Sequence, residues 1–217
     1  MSLPMRVTVK CAICGEESTQ TVMASSNTFG GTPDLDLRPA EMMRSTMSWW
    51  IQECPHCGYI SESLDDETSV TREWLKQEVF TTSGGRKFLS KLATRFYKYY
   101  LINVADDNEK DAFYAALHAA WACDDEREIE NAIHCRQCAL TELEKILADP
   151  NTPEDMHVVK TDLLRRTGQF DALISNYTGK QFSKELLNQI VAFQIEKARQ
   201  NDTQCYRIQD VPGTEDA

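Results

Sequence analysis

Two cysteine corners, Cys11-Ala-Ile-Cys14-Gly15 and Cys54-Pro55-His56-Cys57-Gly58, constrain this chain more than any other feature. Each corner offers two thiols from one tight turn. The span between them is long enough to fold back and bring four sulfurs to one point. The glycine after the second cysteine of each pair tolerates positive φ, so the backbone can curl beneath a metal and aim N–H groups at the sulfurs. Cys11, Cys14, Cys54 and Cys57 are therefore expected to hold one metal ion, and the flanking residues to form a zinc ribbon. Four thiolates close the coordination shell and leave no position for water, so the expected zinc is structural rather than catalytic.

The bulk properties narrow the setting. At 217 residues, with 41% hydrophobic and 26% charged residues, the chain has the composition of a packed protein. No apolar run is long enough to span a bilayer, and Met1–Arg6 lacks the apolar stretch of a secretory signal. Eight cysteines without such a signal point to a reducing, cytoplasmic compartment, where thiols bind metal or pack as small hydrophobes. The net charge of −11 disfavours a nucleic-acid binder that relies on a broadly basic surface. Residues 1–63 themselves hold only Arg6, Lys10, Arg38 and Arg44 against seven carboxylates.

The expected fold class is α+β, a small β zinc ribbon over residues 1–66 followed by an all-α helical-repeat domain over residues 67–217. Residues 6–10 alternate and lead into the first corner, with 19–23 as a returning strand. Residues 25–40 read as a long loop inserted in the ribbon. The β-prone stretch 48–53 enters the second corner and 58–61 leaves it, as a second hairpin. Beyond the acidic run 64–68 the helical period takes over. Phe88, Leu89, Leu92, Phe96 and Tyr100 make an amphipathic stripe on a helix over 86–101. Further helices are expected at about 71–81, 108–123, 126–148, 153–167, 169–176 and 181–200, with Thr152 as an N-cap before Pro153.

Ala116, Leu117, Trp121, Ala132 and Ala139 place small and large apolar residues much as a tetratricopeptide repeat does, and Leu163…Gly168-Gln-Phe170…Leu173 has the turn between paired helices. Position 136, where that repeat carries an aromatic residue, is Arg. Together with the cysteine corners, Thr32-Pro-Asp-Leu-Asp-Leu-Arg-Pro39 and Trp49, these helix pairs resemble an uncharacterised bacterial domain-of-unknown-function family. That family joins an N-terminal four-cysteine zinc ribbon to a tetratricopeptide-like C-terminal part. The resemblance implies zinc at Cys11, Cys14, Cys54 and Cys57, and no particular reaction. Cys-Pro-x-Cys-Gly also resembles a rubredoxin corner, which leaves iron as the alternative metal.

Other constellations are weaker. Cys135-Arg-Gln-Cys138, near His134 and Cys123, has corner spacing but lies in a continuous helical pattern with no turn residue, so these thiols read as packing residues. Cys205 has no visible partner. The loop residues Asp34, Asp36, Arg38, Glu41 and Arg44, with Met47, Trp49 and Trp50, read as Arg–Asp pairs that pin a loop, or else as a polar pocket. Lys87, Lys91, Arg95 and Lys98 form a basic stripe, read as a solvated or paired face. His118 and His157 read as packing or surface residues. His-Glu-x-x-His, Gly-x-x-x-x-Gly-Lys and Gly-x-Ser-x-Gly do not occur. The expected activity is binding of a macromolecule, protein in preference to nucleic acid and with no membrane partner. The rival readings are a nucleic-acid-associated regulator using the ribbon and the basic stripe, and an enzyme with a site in loop 32–47.

Overall fold

The structure, a computed structural model, describes residues 3–214. It is α+β, with two small antiparallel sheets of two strands each near the N-terminus and eight helices. Strands β1 (Leu3–Lys10) and β2 (Glu17–Ser25) flank the first cysteine corner, in a register running from Pro4↔Met23 to Lys10↔Glu17. The short helix α1 (Glu41–Arg44) follows the inserted loop. Strands β3 (Gln52–Glu53) and β4 (Ile60–Ser61) flank the second corner. The helical part comprises α2 (Glu78–Thr81), α3 (Lys91–Ala105), α4 (Glu109–Asp125), α5 (Ile129–Ile146), α6 (Asp155–Arg166), α7 (Phe170–Tyr177) and α8 (Glu185–Arg199). No described helix is long and apolar enough to cross a membrane.

Local chemistry explains where these helices start and stop. Ser90 caps α3 by accepting from the Ala93 N–H at 3.2 Å, and Asn108 caps α4 by accepting from the Asp111 N–H at 3.2 Å. Helices α3, α4, α6 and α8 end alike. Asp107, Arg127, Gly168 and Asn201 take left-handed φ values of 52°, 58°, 75° and 55°. The next residue's N–H then reaches back to a carbonyl five positions earlier, as in Asn108 to Asn103 (2.9 Å) and Gln169 to Leu164 (2.8 Å). These stops are tight, so α3–α4–α5 and α6–α7 are joined by loops of only a few residues.

Helix α4 is the centre of the bundle, packed on α3 along one side and α5 along the other. Its alanines at 112, 115, 116, 119, 120 and 122 are all essentially without exposure. Small side chains let both neighbours approach closely, and Phe113, Leu117 and Trp121 fill the remaining space. The buried apolar residues form one contiguous cluster that runs from Cys11, Ile51 and Ile60 to Val191 and Val211.

Several expected elements shift for identifiable reasons. The helix over 86–101 begins at Lys91, because the Ser90 cap and the Ser90 N–H bond to the Glu128 carboxylate at 2.8 Å set its start. Phe88 and Leu89 consequently precede it, and Leu89 is largely exposed. Residues 48–53 are not a continuous strand. Met47–Trp49 form a 3₁₀ turn, and the strand is confined to Gln52–Glu53. The helix at 71–81 resolves into a 3₁₀ turn at Trp74–Lys76 and the short α2. Thr152 does not cap α6, since its hydroxyl donates to the Ile146 carbonyl at 2.6 Å instead.

The ribbon region docks on the helices through aromatic and cationic contacts. Arg95 on α3 donates to the Ile51 carbonyl at 2.6 Å and pairs with Glu53 at 3.3 Å. The His118 imidazole on α4 lies among Trp50, Phe96 and Trp121, with ring centroids 5.1, 5.1 and 4.8 Å away. Burial pulls the His118 pKa from 6.5 down to about 3, the Asp36 charge opposing. The unfolded chain therefore binds a proton that the folded chain refuses, and stability falls as pH drops from 6.5 toward 3, by up to about 1.4 kcal/mol per unit. His118→Gln is expected to shed that loss. Denaturant titrations of both proteins below pH 6.5 check it, and parallel acid limbs would count against a neutral imidazole among these aromatic rings.

Candidate functional site

The two cysteine corners have the same backbone construction. In the first, the Gly15 N–H donates to the Cys11 carbonyl and the Cys11 N–H to the Glu16 carbonyl, both at 2.9 Å. In the second, the Gly58 N–H donates to the Cys54 carbonyl at 2.9 Å and the Cys54 N–H to the Tyr59 carbonyl at 2.8 Å. Gly15 and Gly58 sit at φ 76° and 77°, left-handed conformations that let each chain turn under its sulfurs. An N–H of the first corner, from Ala12, also bonds the Leu64 carbonyl at 2.8 Å and ties it to the segment leaving the second.

The result brings all four sulfurs within 4.8 Å of one another. The cross-corner separations Cys11–Cys57 and Cys14–Cys54 are each 3.6 Å. A tetrahedron with metal–sulfur bonds of about 2.3 Å has sulfur–sulfur edges of about 3.8 Å, so the cluster has the size of a four-thiolate site. Cys11 and Cys54 are buried, whereas Cys14 and Cys57 are partly open. Burial pushes the Cys11 and Cys57 thiols up. At Cys14 burial is outweighed by the Glu16 N–H and the neighbouring sulfurs, which bring that thiol below its ordinary value. Uncompensated thiolates are costly here, and a divalent cation at the centre would supply the missing charge.

The other cysteine group does not converge in this way, and among the described residues the four corner cysteines are the sole metal-sized cluster. A hydrogen bond with Cys123, together with burial, pushes the Cys135 thiol up. Cys138 Sγ lies 3.5 Å from His134 Nε2, which the Tyr97 hydroxyl approaches at 3.0 Å. These groups sit in the α3–α4–α5 packing. Cys205 has a partner that sequence reading missed, the Asp34 carboxylate at 3.3 Å.

The inserted loop is the second structured feature. Residues 34–38 form a tight turn, closed by the Asp34 N–H to the Arg38 carbonyl at 2.8 Å and the Leu37 N–H to the Asp34 carbonyl at 2.9 Å. Leu37 pays for the turn with φ 70°, a conformation costing a non-glycine residue about 1 kcal/mol. The turn drives Asp36, which has no exposure at all, into the helical body. There Trp121 Nε1 donates to it at 2.8 Å, and the Arg166 and Arg136 guanidiniums lie 3.3 and 3.7 Å away.

Asp124, at the end of α4, closes the ring by pairing with both Arg136 and Arg166. Burial works against the Asp124 charge, but the two guanidiniums together hold it below the usual carboxylate range. Arg38 Nη2 donates to both oxygens of Asp125, at 2.7 and 2.6 Å. Asp34 pairs with Arg44 at 2.8 Å, and the loop also bonds the C-terminal segment, with the Leu35 N–H on the Tyr206 carbonyl at 2.9 Å.

Of the loop residues singled out in the sequence, Asp34, Asp36, Arg38 and Arg44 thus engage in structural pairs. Met47 is buried, Trp50 meets His118, and Glu41 is exposed. The partners Asp124, Asp125, Arg136 and Arg166 carry no local signal, except that Arg136 breaks the apolar pattern of its helix. A recess of about 280 Å³ adjoins the ring, bordered by Arg136, Arg166 and Asp124 with Thr167, Gly168 and Thr203. A second, of about 450 Å³, opens beside Leu37, Tyr114, Ile146, Pro153 and Met156.

The basic stripe is partly consumed. Arg95 holds the ribbon, Lys98 lies 4.9 Å from the Phe80 ring, and Lys87 precedes α3.

No family model, curated protein or solved structure matches this chain. The resemblance noted above accordingly rests on the cysteine corners, the loop residues and the helix pattern themselves.

Removing one member of a buried charge ring leaves its partners uncompensated, whereas exposed pairs contribute little. Asp36→Asn is therefore expected to cost about 3 kcal/mol. Glu144→Gln, which breaks a pair with Lys160 at a carboxylate 63% exposed, should cost about 0.5 kcal/mol. Chemical denaturation of the two variants distinguishes them, and equal costs would refute the ring as the anchor of the loop.

Proposed function

We propose that Cys11, Cys14, Cys54 and Cys57 hold one structural zinc ion, and that the chain is a non-catalytic, cytoplasmic zinc-ribbon and helical-repeat protein that binds another protein. The observation that carries the metal reading is the four-sulfur cluster with its 3.6 Å cross-corner edges and paired glycine turns. Sulfur donors at that size suit zinc, with iron the alternative in a four-thiolate site. Four protein ligands leave no open position, so the metal staples the ribbon and does not activate water.

The division of labour follows. Residues 1–66 serve as the metal-organised part and residues 67–217 as the helical part, read as tetratricopeptide-like pairs. Support comes from the antiparallel hairpins α4–α5 and α6–α7 and from the buried alanines at 132 and 139. Arg136 departs from that repeat, because in this chain it closes the charge ring with Asp124. Protein is favoured over nucleic acid as the partner by the acidic balance and by the engagement of Arg95 and Lys98 within the fold. The catalytic reading of loop 32–47 is disfavoured because the side chains of Asp34, Asp36 and Arg38 are each taken up by a separate partner, Arg44, Trp121 and Asp125, instead of converging on one cavity.

Elemental analysis of the purified chain is expected to give one zinc per molecule, lost with Cys54→Ser. A metal-free protein that keeps its ribbon contacts after chelation would refute the metal assignment. Affinity purification from the native host should recover a protein partner whose binding changes little with moderate salt. Recovery of RNA or DNA with steep salt dependence would favour the regulator instead.

A further inference from the structure

Leu37 combines two features that rarely meet in a leucine. Its backbone is held at φ 70°, and its side chain is 41% exposed. It also walls two neighbouring cavities. One is the open recess of about 450 Å³, bordered as well by Lys110 and Tyr114 from α4 and by Asp155 from α6. The other is a chamber of about 140 Å³ between α6, α8 and the inserted loop, lined by Leu35, Val158, Val159, Leu187 and Ile190. Leu37 and Asp155 border both spaces. Strained backbone of this kind clusters at ligand sites.

Helix geometry arranges the walls. Lys110 and Tyr114 lie four apart on α4, and Asp155 precedes Val158 and Val159 on α6 by three and four residues. Each charged group therefore shares a helix face with the residues that line the cavities beside it. Other polar groups of the recess are already engaged. Asp149 accepts from the backbone and side-chain nitrogens of Asn151, both at 2.9 Å, and the Thr152 hydroxyl donates to the Ile146 carbonyl. The Lys110 ammonium and the Asp155 carboxylate remain, one charge of each sign. Neither has a hydrogen-bond or ion-pair partner among the described residues. Burial, and then the charge of Asp155, raise the pKa of the Tyr114 phenol, which places that carboxylate toward the recess.

We propose that the recess and the chamber together bind a free α-amino acid with an apolar side chain. The chemistry of the walls selects the ligand. Asp155 pairs with the α-ammonium and Lys110 with the α-carboxylate, each a charge-assisted bond. The side chain passes Leu37 and enters the chamber, whose volume is close to that of a cavity of about 150 Å³ able to hold benzene. That size suits an isobutyl or benzyl group. A ligand with a single charge leaves one wall group unpaired, and glycine leaves the chamber empty. A mainly apolar cavity with a few convergent polar groups is the usual form of a small-molecule site. The bound ligand covers the exposed face of Leu37. The inference rests on neither the metal nor the protein partner proposed above.

Isothermal titration of the full chain with L-leucine and L-phenylalanine tests it. At least one of them is expected to bind saturably at a single site, with a dissociation constant below about 1 mM. Isopentylamine and 4-methylpentanoate, which are leucine without its carboxylate and without its amine, should each bind about tenfold more weakly than leucine, and glycine should not bind. Asp155→Asn should weaken leucine about tenfold and leave 4-methylpentanoate unchanged. Lys110→Met should weaken leucine about tenfold and leave isopentylamine unchanged. Both side chains are exposed, and circular dichroism confirms that the variants are folded. The absence of saturable binding by either amino acid up to about 10 mM overturns the proposal. So does leucine binding that is indifferent to either variant, or glycine binding as tightly as leucine.

Discussion

Asp36 has no solvent exposure, and a buried carboxylate is tolerable only where donors and cations surround it. Those partners come from three helices: Trp121 from α4, Arg136 from α5 and Arg166 from α6. Asp36 itself belongs to the loop between the two cysteine corners. One side chain thus requires the loop, the ribbon and the bundle to be assembled together. Desolvating so many charges gives the ring little net stabilisation over an apolar substitute, and its larger effect is to penalise any arrangement that leaves a member unpaired. The ring specifies where the loop goes more than it strengthens the fold.

The cysteine corners act on the same loop from its other side. They hold residues 11–14 beside residues 54–57 and so bring the two ends of the intervening segment together. That segment leaves the first corner through β2, crosses the bundle at the 34–38 turn and returns through Trp50, which packs on His118. Fixing its ends lowers the entropy that the Asp36 insertion must overcome, while the insertion keeps the second corner close to α3 through Arg95, Ile51 and Glu53. The metal-sized cluster and the charge ring are therefore two clamps on one excursion of the chain. With Asp34, Asp36, Arg38 and Arg44 all engaged, what this arrangement offers outward is shape: the recesses beside Leu37 and Arg166.

How much of this could be read in advance depended on the range of the forces involved. The corners were legible because Cys-x-x-Cys-Gly encodes its own turn, with a glycine where φ must be positive. The long helices were legible because alanine-rich and amphipathic periods repeat over many residues. The boundaries at Lys91 and at 47–53 were not, since they are set by the Glu128 carboxylate bonding the Ser90 N–H and by tertiary packing around the second corner. The Arg–Asp character of the loop was visible as a possibility, but its partners lie on helices about 90 and 130 positions further along the chain. Arg136 was noticed as an irregularity in a repeat pattern, and only the fold showed it to be one side of a charge ring.

The sequence by itself determined the local chemistry: four thiols in two matched corners and small residues along α4. These depend on neighbours within a few positions, and adjacent residues suffice to specify them. Only the tertiary structure decided that the four sulfurs lie at metal-site separations and that the inserted loop is locked by Asp36. It also decided that Arg95 belongs to an internal contact. Each of those outcomes joins groups far apart in the chain, and the balance of burial against charge compensation that selects them exists only once the helices are packed.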